Sequence, residues 1–525
     1  MASEAKAVES GTIVSSNPAT GEVLAELACA TAGDVQAAVS RAQSAQLRWQ
    51  ATPVNERIAV LRRFQQLLSE QRDSVANLIS REAGKPIAEA LATEILVVLD
   101  AARYCMRAVH GILRDQPVPH GNLAMKTKRG KLVYEPYGVI GIISPWNYPF
   151  STPAIETLGA LVTGNAVVLK PSEFTPVAAL ELQRLLLADG LDRDLMQVVI
   201  GEGPVGAALI ESPIDKLIFT GSVATGKRVG EAAARKLMPV VLELGGKDPM
   251  IVLNDADVEI ASSGALWGAF MNCGQTCLSV ERCYVHRSLY ERFLEACRAK
   301  IAKLRVGNGI ESEVEIGPMI NERQLRTVDD HVADALRRGA RLLAGGKRLT
   351  ELGPNFYAPT LLADVTADMR VMQEETFGPV LPVAPFDSDE EAIRLANGSD
   401  FGLAASVWTR SRPRGEAMAR RIKAGTVMVN DMISCFGISE APHGGFKQSG
   451  IGRTHGELGL REMVQVKYLD VDLIPGIPKV WWFGYGKQYR EAMDGFIDAL
   501  FARSWATRLT GLVRSAGLLR RKNKV

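Results

Sequence analysis

The sequence predicts an α/β protein made of two successive strand–helix alternations behind a helical N-terminal layer. From Gly138 onward short apolar runs recur: Val139-Ile140-Gly141-Ile142-Ile143, Ala166-Val167-Val168-Leu169, Gln197-Val198-Val199-Ile200 and Leu217-Ile218-Phe219, with stretches between them long enough for helices. Such runs with helical crossovers indicate a parallel sheet covered on both faces. A second alternation begins after Lys247, with Met250-Ile251-Val252-Leu253 and later Gly425-Thr426-Val427-Met428-Val429 as buried strands. The third observation is size: 525 residues, 47% hydrophobic and 23% charged, suit roughly three domains with a sizeable core.

Taken in order, the chain first shows apolar residues at helical spacing from Asp34 to about Ala108, as in Val35, Val39 and Ala42, then Ile58, Leu61, Phe64 and Leu68. This reads as a helical layer. Pro117 and Pro119 end it. Leu123 to Tyr134, with Arg129-Gly130 in its middle, reads as two short strands around a turn. The two sheet-forming regions follow, and no internal repeat interrupts them.

Composition excludes several classes. The seven cysteines are odd in number and scattered, with no CxxC, which points to a reducing, cytoplasmic setting and away from structural zinc or another metal. The start, Met1-Ala2-Ser3-Glu4-Ala5-Lys6, shows no basic-then-apolar leader. No run of about 18 apolar residues is present to span a bilayer. From Arg503 onward there are seven Lys or Arg and no acid; these exceed the net charge of +2 and leave −5 on the rest of the chain, which is not the charge of a nucleic-acid binder.

The chemistry centres on Val240-Val241-Leu242-Glu243-Leu244-Gly245-Gly246-Lys247 and on Gly274-Gln275-Thr276-Cys277, whose cysteine follows the glutamate by 34 residues. An apolar run ending in glycines places Glu243 at the end of a buried strand, where desolvation raises its pKa and makes it a usable general base. Cys277 has small neighbours that let a substrate approach, and a thiolate can form without a partner histidine if its local field is positive. Alone, a cysteine is more often a small buried hydrophobe. Phe219-Thr220-Gly221-Ser222-Val223-Ala224-Thr225-Gly226 follows a strand and opens a helix, so its backbone amides can meet a pyrophosphate. A P-loop is disfavoured because Arg228 stands where a Ser or Thr must reach Mg²⁺. Lys170-Pro171-Ser172-Glu173 sits at a strand end, where a lysine and a carboxylate can bind ribose hydroxyls.

These stretches resemble the active-site signatures of the aldehyde dehydrogenase superfamily. The resemblance runs from Asn17-Pro18-Ala19-Thr20-Gly21-Glu22 through Pro145-Trp146-Asn147-Tyr148-Pro149 and Glu374-Glu375-Thr376-Phe377-Gly378-Pro379 to Gly444-Gly445-Phe446-Lys447-Gln448-Ser449-Gly450. It implies a Rossmann-like dinucleotide-binding domain (1–116 and 137–244), an α/β catalytic domain (245–447), a small oligomerisation arm (117–136 and 448–472) and a homodimer or homotetramer. It further implies Cys277 as nucleophile, Glu243 as base for hydrolysis and Asn147 as oxyanion donor with the cysteine's backbone amide. For the cofactor it implies Trp146, Lys170, Glu173, Gly221, Ser222, Gly226, Glu375 and Phe377. Lys170 would bind ribose, and Glu173 favours NAD because its charge repels a 2′-phosphate, though some relatives with that glutamate accept NADP. The implied reaction is oxidation of an aldehyde to its acid through a thiohemiacetal and a thioester.

The same resemblance frames the substrate. Between Lys131 and Gln183 there is no arginine, whereas relatives specific for succinate semialdehyde carry one shortly after the Trp-Asn motif. A neutral or apolar aldehyde is expected, with a semialdehyde as the alternative. Many relatives have a lysine where Glu156 stands, so the proton path around Glu243 is open. An acylating enzyme that uses coenzyme A, a non-catalytic scaffold and a cofactor-free cysteine hydrolase are the other readings: Glu243 weighs against the first, intact Cys277, Glu243, Asn147 and Lys170 weigh against the second, and the third would turn over esters without a cofactor.

The segment 473–525 is not explained by the resemblance. Pro475-Gly476-Ile477-Pro478 breaks the chain, and Trp481, Trp482, Phe483 and Tyr485 follow. Two helical patterns come next, one over Tyr489, Met493, Phe496, Ile497, Leu500 and Phe501, the other from Trp505 and Leu509 through Leu512, Val513 and Ala516 to Leu519. Arg503, Arg514 and Arg521 oppose the second apolar stripe and Arg508 and Arg520 flank it, the composition of a helix lying in an anionic membrane surface. Peripheral membrane contact through 481–525 is therefore expected, against packing on a partner subunit.

Overall fold

The computed structural model describes residues 11–122, 125–188, 190–311, 313–476 and 479–518. Of the residues singled out above, Met1 to Lys6, Leu123, Ile477, Pro478, Leu519, Arg520 and Arg521 lie outside that set. The chain forms two compact units, one of residues up to Arg114 with Tyr134–Gln465, the other of Asp115–Val133 with the chain from Val466 on.

The larger unit opens with the antiparallel hairpin β1 (Thr12–Ser16) and β2 (Val23–Ala28). A capping box starts the helical layer, with the Thr31 hydroxyl accepting from the Asp34 N–H at 3.2 Å and the Asp34 carboxylate accepting from the Thr31 N–H at 2.8 Å. Helices Ala32–Ala51, Val54–Glu70, Arg72–Ala83 and Leu96–Leu113 follow. The apolar positions picked out by spacing, Val35, Val39, Ala42, Ile58, Leu61, Phe64 and Leu68, are all buried.

Two strands come next, β3 (Gln116–Val118) and β4 (Lys128–Pro136), antiparallel to each other. Here the expectation of a turn at Arg129-Gly130 is corrected, because both residues lie inside β4 and Gly130 pairs with Val118. The glycine serves packing: a Cβ on it would stand 2.4 Å from the Tyr468 hydroxyl.

The first sheet contains β5 (Val139–Ile143), β6 (Ala166–Lys170), β7 (Met196–Val198), β8 (Lys216–Thr220) and β9 (Val240–Glu243). The second contains β10 (Asp248–Val252), β11 (Val280–His286), β12 (Arg341–Ala344), β13 (Thr360–Ala363), β14 (Val380–Phe386), β15 (Ala404–Trp408) and β16 (Thr426–Val429), in the order β12-β13-β14-β11-β10-β15-β16. All its pairings are parallel except β12 with β13. Each sheet has its own apolar core.

A short strand, β17 (Gly450–Ile451), joins the first sheet by pairing Gly450 with Glu243, and the resulting order is β17-β9-β8-β5-β6-β7. Residues 448–465, assigned to the arm from sequence, thus belong to the larger unit. The first sheet is parallel from β9 to β7, with Ile143, Lys170, Phe219 and Glu243 at or next to its carboxyl edge. Its strand order reverses between β5 and β8. That is a topological switch point, where α/β sheets bind ligands outside the carboxyl ends.

The smaller unit holds the sheet β18-β4-β3, with β18 spanning Val464–Asp472, and a hairpin of helices Lys487–Phe501 and Trp505–Ser515. The helices meet through small residues: a Cβ on Gly511 would lie 2.5 Å from the Ala499 nitrogen, and one on Gly495 would lie 2.9 Å from the Gly511 carbonyl. Met493, Phe496 and Leu500 are half-buried, but several other large apolar side chains are left outside. Phe501, Trp505 and Val513 are 75%, 78% and 74% exposed. Among the described residues no helix is long and apolar enough to cross a membrane.

Candidate active site

A cavity of about 440 Å³ is lined by residues that follow β5, β8 and β9, and it contains Asn147, Glu243 and Cys277 together with Trp146, Gly221, Ser222, Glu375 and Phe377. Three expected cofactor residues are not in its lining. Lys170 ends β6, and its Nζ lies 3.6 Å from the Glu173 carboxylate. Gly226 sits in the first turn of helix Val223–Arg235, where a Cβ would meet Leu244 at 2.4 Å. Its missing side chain thus serves close packing of that helix on the residue after β9. Ser222 caps the helix by accepting from the Thr225 N–H at 3.4 Å.

The turn before Cys277 is built on left-handed backbone: φ is 53° at Asn272, 57° at Cys273 and 71° at Gly274. Only glycine fits the last, since a Cβ would stand 2.1 Å from the Gly378 carbonyl oxygen. Asn272 donates through its side chain to the carbonyls of Asn147 (3.0 Å) and Gln275 (3.1 Å). The Asn147 amide donates to the Gln275 carbonyl at 3.0 Å, and the Tyr148 and Thr276 hydroxyls are 3.0 Å apart. The loop after β5 is thereby tied to the nucleophile turn. The Cys277 backbone N–H has no acceptor among the described residues, and Asn147 keeps a second N–H, so both remain available to an oxyanion.

Sequence reasoning missed the ion pair that supports Asn147. Lys85 Nζ donates to the Asn147 carbonyl at 2.8 Å and to Glu94 at 2.6 Å, with both side chains fully buried. The other Glu94 oxygen accepts from the Phe150 and Ser151 N–H groups at 3.2 and 2.6 Å. Glu94 lies in a π-helical turn, Ala90–Ile95, a wider turn common near functional sites. Glu89, just before it, accepts from the Asn272 N–H at 2.9 Å. Burial pushes the Lys85 ammonium down and the Glu94 charge opposes that. The available signal was a lysine and two acids interrupting an otherwise apolar helical stretch.

Glu243 is 5% exposed, and neither of its oxygens has a hydrogen-bond partner among the described residues. Burial pushes its pKa up to about 8, against the opposing charge of Arg453. His443 Nε2 lies 3.8 Å away. Burial and the Arg453 charge hold that imidazole down to about 4, so it is neutral. His443 and His455 line the cavity, and sequence reasoning named neither.

The condition of a positive field is not met at Cys277. Burial pushes its thiol above the usual cysteine range, and the carboxylates of Asp248, Glu375 and Glu243 push it further. Arg323 is the one Lys or Arg among the lining residues described. The thiol therefore needs a base to take its proton.

Glu375 accepts from the Gly246 N–H at 3.1 Å, in space that a Cβ on Gly245 would occupy, 2.6 Å from the carboxylate. Burial pushes it up to about 7. The adjoining turn is held by Glu281, which accepts from the N–H groups of Thr376 (3.0 Å) and Phe377 (2.9 Å) and pairs with Lys247. Phe377 has a φ of 51° and stands edge-on to Trp146, with ring centroids 5.5 Å apart. Small residues at the sheet's carboxyl edge, a half-buried carboxylate and an aromatic pair suit a nicotinamide–ribose unit.

Comparison with known proteins agrees with this geometry. The aldehyde dehydrogenase family model matches residues 6–469. A Mycobacterium ulcerans protein named "Putative succinate-semialdehyde dehydrogenase [NADP(+)] 2" is 39% identical over 472 residues, 88% of this chain and 90% of that protein. The "4,4'-diapolycopene aldehyde oxidase" of a Methylomonas species is 40% identical over 493 residues, 93% of this chain and 91% of that one. The solved NAD+ complex of an aldehyde dehydrogenase from Bacillus cereus has a TM-score of 0.84 at 38% identity, covering 88% of this chain and 94% of that structure. With a match over most of its length and a cysteine, a buried carboxylate and an asparagine amide in one cavity, the chain belongs to the aldehyde dehydrogenase family, enzymes that oxidise aldehydes to acids with NAD or NADP.

Proposed function

We propose that Cys277, Asn147 and Glu243 carry out the oxidation, and that the substrate is a neutral or apolar aldehyde. The observation behind this is the joint placement of a cysteine, an amide and an unpartnered buried carboxylate on one cavity. Glu243 takes the thiol proton, and the Cys277 sulfur bonds the aldehyde carbon. Asn147 and the Cys277 N–H hold the resulting oxyanion. Trp146, Gly221, Ser222, Glu375 and Phe377 hold the nicotinamide half of the cofactor, and Lys170 and Glu173 its adenosine ribose. Held there, a nicotinamide would supply the acceptor for the hydride that leaves the substrate carbon. Glu243 releases the thiol proton toward solvent, and as a carboxylate again it takes a proton from the water that attacks the thioester; the C–S bond breaks with its electron pair on sulfur, the acid departs and Cys277 is regenerated as the thiolate. NAD is the preferred acceptor, with NADP also accepted, since the Glu173 carboxylate repels a 2′-phosphate.

The two relatives are named for dissimilar aldehydes, 4,4'-diapolycopene aldehyde and succinate semialdehyde. The lining favours an apolar one, through Val97, Trp267, Met271, Ile433 and Phe436. Arg323, exposed on the same lining, is what would favour a semialdehyde. A medium-chain alkyl aldehyde is expected to exceed succinate semialdehyde in kcat/KM by about tenfold or more. The opposite preference, lost in Arg323→Ala, would make the protein a semialdehyde dehydrogenase.

The C-terminal hairpin lies beyond the family match and is proposed as a contact with anionic lipid. Its helices pack through glycines and present Phe501, Trp505, Leu509, Leu512 and Val513 outward, and the sequence from Arg503 on carries seven Lys or Arg and no acid. The full-length protein is expected to cosediment with phosphatidylserine vesicles in a salt-sensitive way, and Phe501→Ser with Trp505→Ser to remain in the supernatant. Failure of the wild type to sediment, with the chain a dimer or tetramer that the double variant breaks, would assign the face to a second copy.

A further inference from the structure

A second cavity of about 20 Å³ has room for one water molecule. Glu156, Thr454 and His455 line both it and the catalytic cavity, forming a wall common to the two. Glu156 is 3% exposed and projects from helix Ser151–Thr163. One of its oxygens accepts from the Thr220 hydroxyl at 3.5 Å, while the other has no partner among the described residues. His455 Nδ1 lies 3.1 Å from the Thr454 hydroxyl, and its Nε2, also buried, has no partner among them either. The two residues that carry these orphaned polar atoms both line the small cavity, where a water would give a buried polar group its missing partner.

The groups around Glu156 leave it no cationic partner. Burial and the Glu243 charge both favour its neutral acid form. His443 and His455, on the segment that closes this side of the cavity, are held neutral by burial, and Arg453 acts on Glu243 and His443. A carboxylic acid between two cavities can accept a proton on one oxygen and release one from the other, ending in the form in which it began.

We propose that Glu156 relays the proton of thioester hydrolysis from Glu243 to a water in the small cavity, a role that rests on Glu243 being the base. As the attacking water bonds the thioester carbon, its O–H bond breaks and the proton goes to Glu243. The C–S bond breaks with its electron pair on the Cys277 sulfur. Glu243 gives its proton to one Glu156 oxygen, and the proton on the other passes to the water beside His455. Glu243 is again a carboxylate and Glu156 again an acid, with one proton exported.

The test is pre-steady-state kinetics of wild type, Glu156→Gln, Glu156→Ala and Glu243→Gln, with NAD affinity measured as a check on folding. Glutamine fills the same space but does not relay, so Glu156→Gln is expected to keep its first turnover, show a burst of NADH, and fall about 100-fold in steady rate. Formate, small enough to replace the lost carboxyl, is expected to restore part of the Glu156→Ala rate and its solvent isotope effect. A merely structural role would slow both phases and give no formate rescue, which would overturn the relay. A wild-type steady rate in Glu156→Gln would overturn it too, provided Glu243→Gln is slow. If Glu243→Gln is itself as fast as wild type, it is the assignment of the base that has failed.

Discussion

Cys277→Ala is expected to lower aldehyde oxidation by at least ~10⁴-fold while leaving NAD affinity within about twofold of wild type. The size of the loss follows from the chemistry: without the sulfur no covalent intermediate forms, and neither Glu243 nor Asn147 offers another nucleophile at that position. Cofactor affinity survives because the residues proposed to hold the nicotinamide and ribose, Trp146, Glu375 and Phe377 among them, are fixed by contacts that do not include the cysteine side chain. Glu375 is held by the Gly246 N–H and its turn by Glu281. The buried Cys273, whose sulfur lies 3.6 Å from Met319 Sδ, is not placed to substitute. More than a trace of oxidation in the variant, measured as NADH formed, would refute the covalent route.

For Glu243→Gln the expected loss is about 10²- to 10⁴-fold in steady rate, the usual contribution of a positioned base. Its pH dependence carries as much information as its size. The Glu243 pKa, pushed up to about 8 by burial, leaves the basic form in the minority at neutral pH. Wild-type kcat should therefore rise about tenfold per unit toward pH 8 and level off above it. The limb arises from a carboxylate losing its proton, so activity is gained as pH rises through the pKa and lost as it falls. In the variant this limb should vanish. At alkaline pH hydroxide ionises the thiol, and a burst of NADH followed by slow turnover is expected. A variant that keeps both the limb and the rate would show that another group is the base.

Much of this architecture was legible along the chain. The parallel strands announced themselves as apolar runs, because a strand buried on both faces has no polar alternation to preserve. The ends of β8 and β9 were legible for a related reason: glycines mark places where the backbone must turn or be approached closely, as at Gly245 beside Glu375. The Arg129-Gly130 turn failed because a glycine that makes room for Tyr468 looks the same, in sequence, as one that bends the chain. The field around Cys277 was not legible because the carboxylates that set it, Asp248, Glu375 and Glu243, are scattered over more than a hundred positions and converge only on folding.

The sequence by itself determined the family and the strand ends, and it singled out Cys277, Glu243 and Asn147 as the residues proposed to carry the chemistry, since each depends on local residue order and spacing. The tertiary structure alone decided what surrounds them. It placed Lys85 and Glu94 under Asn147, His443 beside Glu243, and Glu156 with His455 between two cavities. Those are contacts between distant segments, and a carboxylate's or thiol's proton affinity follows from burial and neighbouring charge, which the linear order of residues does not encode.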